Sequence, residues 1–201
     1  MDFEQTAFFS GRRSIRVYRD EAVPREMLEQ MLTAASWAPS AHNRQPWRFA
    51  VIEAQRTKER LAKAMGKKLR ADLTADGLPR DAIERDVSRS YSRITGAPAL
   101  ILVALTVADM DVYPDQRRQN TEWLMAVQST AMAGQNLLLA AHGLGLGTCW
   151  LCAPLFSPDV VRKSLKLPAE WQPQGLVTVG FAAEERTKER RPLAQNVSFL
   201  D

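Results

Sequence analysis

The chain has 201 residues, of which 45% are hydrophobic and 25% charged, the ordinary composition of a globular protein of about one domain. Gly and Pro number ten and eleven, and no apolar run approaches the roughly 18 residues of a membrane span. Collagen, low-complexity disorder and an integral membrane protein are therefore excluded. No basic segment followed by an apolar one opens the chain, so no secretory signal is visible. We expect one domain over residues 1–201, located in the cytoplasm.

The formal net charge of +4 is modest, but the basic residues gather towards the two ends of the chain. Four arginines lie between Arg12 and Arg19, and four more cations lie between Arg186 and Arg191. Two such clusters suit a nucleic acid, and they equally suit a small phosphorylated ligand. Charge alone leaves both classes of partner open.

Hydrophobic periodicity and turn residues predict more helices than strands. Pro24 begins a helix that runs to about Trp37, and the uninterrupted apolar run Ala99–Val107 predicts a strand covered on both faces, central in the sheet. The remaining predicted elements are a strand over 47–53, helices over 57–70 and 79–92 joined by a loop over 72–78, a long helix over 121–142, a short helix over 158–165 and a strand over 175–182. No flexible linker marks a second domain.

Three glycines lie between Gly143 and Gly147 and invite comparison with a dinucleotide fingerprint. That fingerprint requires a strand before the glycines and a helix after them. Here the order is reversed, because a helix ends at His142–Gly143, where a left-handed glycine is a common cap, and an apolar segment follows. The context argues against a nicotinamide-binding Rossmann fold.

Both cysteines lie in Cys149–Cys152, a spacing compatible with a redox dithiol or with half of a zinc site. The pair follows a long helix rather than opening one, and a four-ligand zinc site would need both histidines of the chain. The simpler interpretation is two small buried apolar side chains. We expect no metal.

Two polar segments have the residue types that hold a phosphorylated heterocycle. Arg12–Arg16 reads Arg-Arg-Ser-Ile-Arg, and guanidinium groups match phosphate oxygens in bidentate geometry, although a solvated basic edge explains the segment as well. Pro39–Pro46 is a polar loop whose two amide side chains can bind the edge of a heterocycle.

These two segments, followed by Gly143–Trp150, occur in the order and spacing of the flavin-dependent nitroreductase family, which the chain resembles over nearly its whole length. A closer resemblance lies in Arg70–Arg85, Tyr113–Pro114 and the Gly-Thr-Cys-Trp segment. These are similar to the reductase domain attached to deazaflavin-cofactor glutamate ligases, although this chain lacks a ligase domain.

The resemblance implies an α+β fold, with a central mixed sheet flanked by helices, in an intertwined homodimer with two FMN sites at the subunit interface. Arg12, Arg13, Ser14 and Arg16 match the segment that holds the phosphate, ribityl chain and pyrimidine edge. The loop that the partner subunit lays against the ring is matched by Pro39, Ser40, Ala41 and Asn43, with Gln45 close by. A segment that passes near the reactive edge of the ring, mostly through backbone groups, is matched by Trp150, Leu151 and Cys152. The cations that close on the phosphate are matched by Lys188 and Arg190, with Arg191 as an alternative register.

The function that the resemblance implies is an NAD(P)H oxidoreductase. Hydride transfer through flavin N5 in a ping-pong scheme needs no side-chain acid or nucleophile, so we expect no catalytic side chain. The acceptor would be a nitroaromatic, quinone, enone or deazaflavin-type molecule. Lys67, Lys68 and Arg70 are candidates for binding an anionic acceptor, although ion pairs on a solvated helix explain them too.

Three alternatives stay open at this point. One is a flavin-fragmenting or dehalogenating branch of the same superfamily, and another is a relative of the same fold that binds no flavin. The third is a basic nucleic-acid-binding domain without flavin, for which exposed aromatic residues among the cations would be expected. Tyr18 is the one aromatic residue there, so we expect a small-molecule acceptor and no nucleic acid partner.

Overall fold

The computed structural model of the chain describes residues 3–200. Six α-helices and four strands fill this range, with short 3-10 turns between them. In chain order they are α1 (Phe3–Gly11), α2 (Arg25–Ser36), β1 (Trp47–Ile52), α3 (Gln55–Ala75), α4 (Arg80–Thr95), β2 (Ala99–Leu105), α5 (Gln116–Gly143), β3 (Leu146–Leu151), α6 (Pro158–Leu165) and β4 (Gln172–Phe181).

The four strands form one sheet in the order β1-β2-β4-β3, and each neighbouring pair is antiparallel. Within residues 3–200, the parallel component expected of a mixed sheet is a single bridge between Ser14 and Thr148, beside β3. β2 is buried along its whole length between β1 and β4, which confirms the prediction of a central strand. β1 and β3 are the two outer strands.

Helices cover both faces of the sheet, and the alternation of side chains along β2 shows how. Ile101 and Val103 pack towards α2 and α5, whereas Leu100 and Leu102 pack towards α3, α4 and α6. An uninterrupted apolar strand has this environment because neither of its faces meets water. The α+β class is confirmed.

Most predicted elements lie within a few residues of their observed bounds, and the short helix at 158–165 matches at both ends. The loop predicted over 72–78 is wrong, because α3 continues to Ala75. Its polar side chains face solvent while Leu73 packs inward, and Gly77, at φ 76°, then turns the chain.

The long helix begins before the predicted position, because the Asp115 side chain accepts a hydrogen bond from the Arg118 backbone N–H over 2.9 Å and caps the first turn. At its other end, the left-handed residue is Gly145, with φ 75°, rather than Gly143. The helix nevertheless ends at Gly143, as predicted, and the chain turns through Leu144 and Gly145 into β3.

Candidate functional site

The segment Arg12–Arg16 lies along the free edge of β3. The Ile15 backbone N–H donates to the Thr148 carbonyl over 2.9 Å. Gly147 permits this approach, because a Cβ atom there would lie 2.9 Å from the Ile15 side chain. The sheet edge therefore fixes the backbone of the segment and leaves its arginine side chains available for a ligand.

The C-terminal tail folds back over the same segment. The Ala183 N–H donates to the Val17 carbonyl over 3.0 Å. The Glu184 carboxylate accepts from the backbone N–H groups of Arg16, over 2.7 Å, and Val17, over 3.2 Å, and from the Arg186 guanidinium over 2.7 Å and 2.9 Å. The hydrogen bond from Arg186 is the main reason why the pKa of Glu184 is lowered. Glu184 thus ties the tail to the arginine segment.

The segment and the tail enclose a cleft of about 410 Å3, which we call the cation cleft. Its lining consists of six cations and two hydroxyl side chains: Arg12, Arg13, Ser14, Arg16, Arg186, Thr187, Lys188 and Arg190. Among residues 3–200, no carboxylate contributes to this lining. Cations around one small space repel one another, and an anion placed between them would relieve that repulsion.

Of the six cations in this cleft, only Arg186 has an acidic partner among the described residues. Arg12 and Arg16 are half-buried as well. Burial is the main cause of a lowered pKa at Arg12, and the neighbouring charges of Arg190 and Arg13 lower it further. The Arg16 guanidinium donates to the Ser14 carbonyl over 3.2 Å, but its Nε is buried and has no hydrogen-bond partner. A buried donor without an acceptor is costly, so both side chains are suited to receive an anion.

The structure brings together the residues that the resemblance assigns to the phosphate, ribityl chain and pyrimidine edge of FMN. All six of the predicted cations and hydroxyls line the cleft, namely Arg12, Arg13, Ser14, Arg16, Lys188 and Arg190. The alternative residue, Arg191, is not part of the lining. Two further residues, Arg186 and Thr187, line the cleft but were not predicted as site residues. Arg186 could have been found, because it belongs to the basic cluster at the C-terminal end of the sequence.

Arg16 also lines a second cleft of about 380 Å3, which we call the hairpin cleft because the α3–α4 hairpin forms one of its walls. The opposite wall is the end of β3 and the turn after it. Its lining comprises Arg16, Leu69, Leu73, Asp86, Arg89, Ser90, Arg93, Cys149, Trp150, Leu151, Cys152 and Ala153. Arg16 is common to the linings of both clefts, so the two clefts adjoin at this residue.

The predicted ring-edge segment Trp150–Cys152 lies in this second wall. The Trp150 indole packs into the core between α5 and β4, where a Cβ atom at Gly134 or Gly175 would lie 2.6 Å or 2.2 Å from it. The large side chain is therefore structural, and backbone groups are what this position offers a ligand.

The two cysteines differ in environment. Cys149 is buried and Cys152 is exposed, and both thiols are free. Burial raises the pKa of Cys149, which disfavours the reactive thiolate. Across residues 3–200, no group of three His, Cys, Asp or Glu side chains is placed to hold a metal ion.

The predicted loop residues Pro39, Ser40, Ala41, Asn43 and Gln45 lie at the far edge of the sheet, just before β1. About four strand spacings, or about 19 Å, separate β1 from the segment beside β3. The loop residues are not part of either cleft lining. Within one chain, the structure does not bring the two halves of the predicted FMN site together.

The loop is nevertheless held in a defined and strained shape. His42, Asn43 and Gln45 have φ values of 50°, 53° and 49°, in a region that costs a residue other than glycine on the order of 1 kcal/mol. The Ala41 N–H donates to the Ser129 hydroxyl of α5, and the Gln45 N–H donates to the Ser40 hydroxyl. Strain that neighbouring hydrogen bonds maintain is typical of functional loops.

The predicted acceptor residues on α3 have other partners. Lys68 is ion-paired with Asp72, and the Arg70 guanidinium donates to the Glu84 carboxylate over 2.7 Å and 2.8 Å. The hydrogen bond to Glu84 raises the pKa of Arg70. Lys67 is exposed, so the three cations do not converge on one site.

The family model described as "Nitroreductase family" matches residues 9–181. The chain therefore belongs to the nitroreductase family, and the predicted class of enzyme, an oxidoreductase of this family, is confirmed. None of the helices within residues 3–200 is long and apolar enough to cross a membrane.

Individual relatives agree with the family match. The chain is 31% identical over 175 residues to a provisionally named NADH dehydrogenase/NAD(P)H nitroreductase of Methanothermobacter thermautotrophicus, a match that covers 86% of this chain and 74% of the relative. A nitroreductase-like protein of Desulfovibrio desulfuricans, solved in complex with FMN, superposes with a TM-score of 0.76 at 28% identity, covering 100% of this chain and 99% of that one. The FMN-dependent nitroreductase NfnB of Mycobacterium smegmatis, solved with NADPH, shares the fold at a TM-score of 0.75 and 21% identity, with 100% of both chains covered.

Proposed function

We propose that this chain is an FMN-dependent NAD(P)H oxidoreductase of the cytoplasm and that its cation cleft holds the FMN phosphate. The observation that carries the proposal is the convergence of six cations, from the two ends of the chain, on one cleft without a carboxylate in its lining. The FMN phosphate carries a charge between about −1.5 and −2 at neutral pH, which is the complement of such a cleft. The FMN in the complex of the Desulfovibrio relative supports the same cofactor here.

The residues present fit that cofactor. Arg12 and Arg16 would donate charge-assisted hydrogen bonds to phosphate oxygens and to the pyrimidine edge, which would satisfy the buried Nε of Arg16. Ser14 and Thr187 would add hydroxyl donors, and Lys188 and Arg190 would close the cleft from the tail side. The ring would extend past Arg16 into the hairpin cleft, beside the backbone of Trp150–Cys152.

When bound, FMN supplies two-electron chemistry, accepting a hydride from NAD(P)H and passing it in a second half-reaction to an acceptor, with solvent providing any further proton. The chain itself binds and orients the reactants. A cation near the pyrimidine edge would stabilise the negative charge that reduction adds there, and Arg16 would serve in that role, since it lines both clefts. No side chain is required as a covalent nucleophile or general acid.

We propose that residues 1–201 form one domain and that two copies form a homodimer, with the loop 39–45 of each covering the FMN ring of the other. The loop lies just before β1, and about four strand spacings, or about 19 Å, separate β1 from the arginine segment of the same chain, so the partner subunit would supply the loop to that site. On α5, the apolar residues Trp123, Leu124 and Met132 are 42%, 48% and 40% exposed, which suits a contact between subunits.

A mixing experiment tests the shared site. Arg12→Gln damages the cleft and Asn43→Ala damages the loop, so each homodimer should have low activity. In a heterodimer of the two variants, one of the two sites combines an intact cleft with an intact loop. Random reassociation should restore about one quarter of the wild-type sites. Activity that stays at the level of the separate variants would contradict a loop donated by the partner.

The proposed acceptors are nitroaromatics, quinones, enones and deazaflavin-type molecules, and the proposed reductant is NADPH or NADH. The name of the Methanothermobacter relative supports this nicotinamide-to-acceptor chemistry. The likeness of Arg70–Arg85 to deazaflavin-associated reductase domains is the reason for including the deazaflavin acceptor, and this stretch comprises the end of α3, the turn after it and the start of α4.

An anaerobic titration tests the function. The protein is loaded with FMN and then given NADPH or NADH while the visible flavin absorbance is followed. We expect the band to bleach with at least one donor and to return when an acceptor is added. A protein that neither takes up FMN nor oxidises a nicotinamide would overturn the proposal.

A further inference from the structure

Tyr18 follows the arginine segment by two residues and lies against β4, outside both clefts. Its ring packs on the apolar core between the sheet and the helices α3, α4 and α6. Gly180 makes room for the ring, because a Cβ atom there would lie 2.9 Å from it. Tyr18 is not part of the lining of the cation cleft or of the hairpin cleft. It can therefore act on a ligand only through its neighbours.

The hydroxyl of Tyr18 reaches back to the arginine segment. It donates to the Ile15 carbonyl over 2.6 Å, and the Thr178 hydroxyl of β4 lies 2.6 Å from the same Tyr18 oxygen. A carbonyl can only accept, so the Tyr18 proton goes to Ile15 and Thr178 is the donor in the second hydrogen bond. Burial raises the pKa of Tyr18, so its hydroxyl keeps that proton. A chain of two hydrogen bonds thus links β4 to the backbone of the arginine segment.

These contacts fix the peptide group between Ile15 and Arg16. Its carbonyl accepts from Tyr18, and its N–H, which belongs to Arg16, donates to the Glu184 carboxylate over 2.7 Å. A peptide group is planar, so partners at both ends define its orientation. The Ile15 N–H is bound in turn to the Thr148 carbonyl over 2.9 Å. The backbone from which the Arg16 side chain projects is therefore held on three sides.

The position of Arg16 matters because its side chain is common to both clefts. Its buried Nε has no hydrogen-bond partner within residues 3–200. A guanidinium donates from a rigid planar fork, so it meets an acceptor well only when the backbone that carries it is held in place. A group that orders this backbone consequently acts on any ligand of Arg16.

We propose that Tyr18 is a positioning residue, whose hydroxyl holds the Ile15–Arg16 peptide group so that the Arg16 side chain meets bound FMN. The proposal rests on the proposed function, since FMN is the ligand concerned. Removal of the hydroxyl would leave the ring packed and release only the Ile15 carbonyl. A less ordered Arg16 would bind FMN more weakly, and the reduced cofactor would lose more affinity because it carries more negative charge.

The test compares Tyr18→Phe with Tyr91→Phe, which is the same change at another half-buried tyrosine. Tyr91 packs on the same apolar core, but its hydroxyl has no hydrogen-bond partner in the described chain. Both changes are made in the wild type and in Arg16→Gln. Titration of the apoprotein gives the Kd of FMN, its thermal unfolding gives Tm, and the midpoint potential is measured at saturating FMN.

We expect Tyr18→Phe to raise the Kd of FMN about threefold to tenfold in the wild-type background, the effect of one neutral hydrogen bond. The ratio of the dissociation constants of oxidised and reduced FMN should fall about threefold, equivalent to about 14 mV for a two-electron couple. Tyr91→Phe should change both quantities less than about twofold. In the Arg16→Gln background, Tyr18→Phe should leave the potential unchanged, because the side chain through which it acts is gone.

An unchanged potential in a folded, FMN-loaded Tyr18→Phe protein would overturn the proposal, whatever happens to Tm, because it would leave the hydroxyl a structural role alone. A shift of equal size with and without Arg16 would also overturn it, since the hydroxyl would then act by another route. Failure of the wild-type protein to bind FMN would instead overturn the proposed function itself.

Discussion

The cation cleft and the α3–α4 hairpin are both rich in Lys and Arg, yet their charges are arranged differently. In the hairpin, Lys68, Arg70 and Arg89 each have a carboxylate partner. In the cation cleft, Arg12 and Arg190 repel one another, and the Nε of Arg16 has no partner within residues 3–200. Charge pairing, rather than charge density, therefore distinguishes the cation cleft from these three positions of the hairpin.

The largest effect on FMN affinity is expected when a cation of the cation cleft is removed. Arg12→Gln removes a half-buried guanidinium from the proposed phosphate site. A charge-assisted hydrogen bond contributes about 1.5–3 kcal/mol, so the Kd of FMN should rise by about 10-fold to 100-fold. Titration of the apoprotein, followed by flavin fluorescence, measures this constant.

Arg70→Gln is the matched control, since it removes the same charge from the hairpin. Arg70 is exposed and paired with Glu84, so the affinity for FMN should change by less than about twofold. Equal losses of affinity in the two variants would show that FMN responds to total charge, which would break the distinction between the two regions.

The next largest effect on FMN affinity is expected when the arginine segment is displaced from the edge of the sheet. Gly147→Val introduces side-chain atoms into the space of Ile15, which lies 2.9 Å from an added Cβ atom. Overpacking of this kind costs about 1–3 kcal/mol, and displacement of the segment should weaken FMN binding several-fold. Thermal unfolding and FMN titration report the two effects separately.

Gly143→Ala is the control for this change, because Gly143 is exposed and an added Cβ atom would be 3.6 Å from the Phe8 ring, an ordinary contact. We expect little change in Tm or in FMN affinity. If Gly147→Val bound FMN as tightly as Gly143→Ala, contact with β3 would not be what positions the arginines.

The pH dependence of FMN binding should report the attachment of the tail. The pKa of Glu184 is lowered from its ordinary value of 4.5, chiefly by the hydrogen bond from Arg186. A lowered folded-state pKa stabilises the attachment at pH values above the ordinary one, and this stabilisation is lost as pH falls through the lowered pKa. FMN affinity should therefore fall in acid as Arg186 and Lys188 leave the cleft.

Glu184→Gln should weaken FMN binding at neutral pH and flatten the acid decline, because the group that titrates is gone. Binding measured from neutral to acidic pH in the two proteins gives the comparison. An acid decline as steep in the variant as in the wild type would assign it to other groups, including the phosphate itself.

The smallest effect is expected in the hairpin. Glu84→Gln breaks the exposed pair with Arg70, and exposed pairs contribute little to stability. The free energy of unfolding should fall only slightly, and FMN affinity should not change. A large loss of FMN affinity would assign the hairpin pair a role that its exposure does not suggest.

The same comparison shows what the sequence could predict. The motif at Arg12–Arg16 and the terminal cations were visible as patterns, and the fold brings them to one cleft. The pairing of Arg70 with Glu84 was not visible, because it depends on how α3 packs against α4. Residues 14 apart in sequence cannot be matched by the periodicity of one helix.

The local backbone conformation was likewise only partly predictable from the sequence. The central strand and the short helix at 158–165 follow from apolar patterning and a proline, which act within a few residues. The left-handed conformation is adopted by Gly145 rather than Gly143, and the polar stretch at 72–75 is helical, because packing of neighbouring segments decides between similar local options. The strained His42 and Gln45 likewise have no signature in residue type.

The central claim is that unpaired cations of the cation cleft bind the phosphate of FMN, and the most direct test compares FMN with riboflavin, which has the same ring and no phosphate. Both ligands are titrated into the apoprotein of the wild type and of Arg12→Gln. The account predicts that the wild type binds FMN at least about 100-fold more tightly than riboflavin, and that Arg12→Gln loses affinity for FMN alone. Equal affinities for the two ligands in the wild type would contradict it.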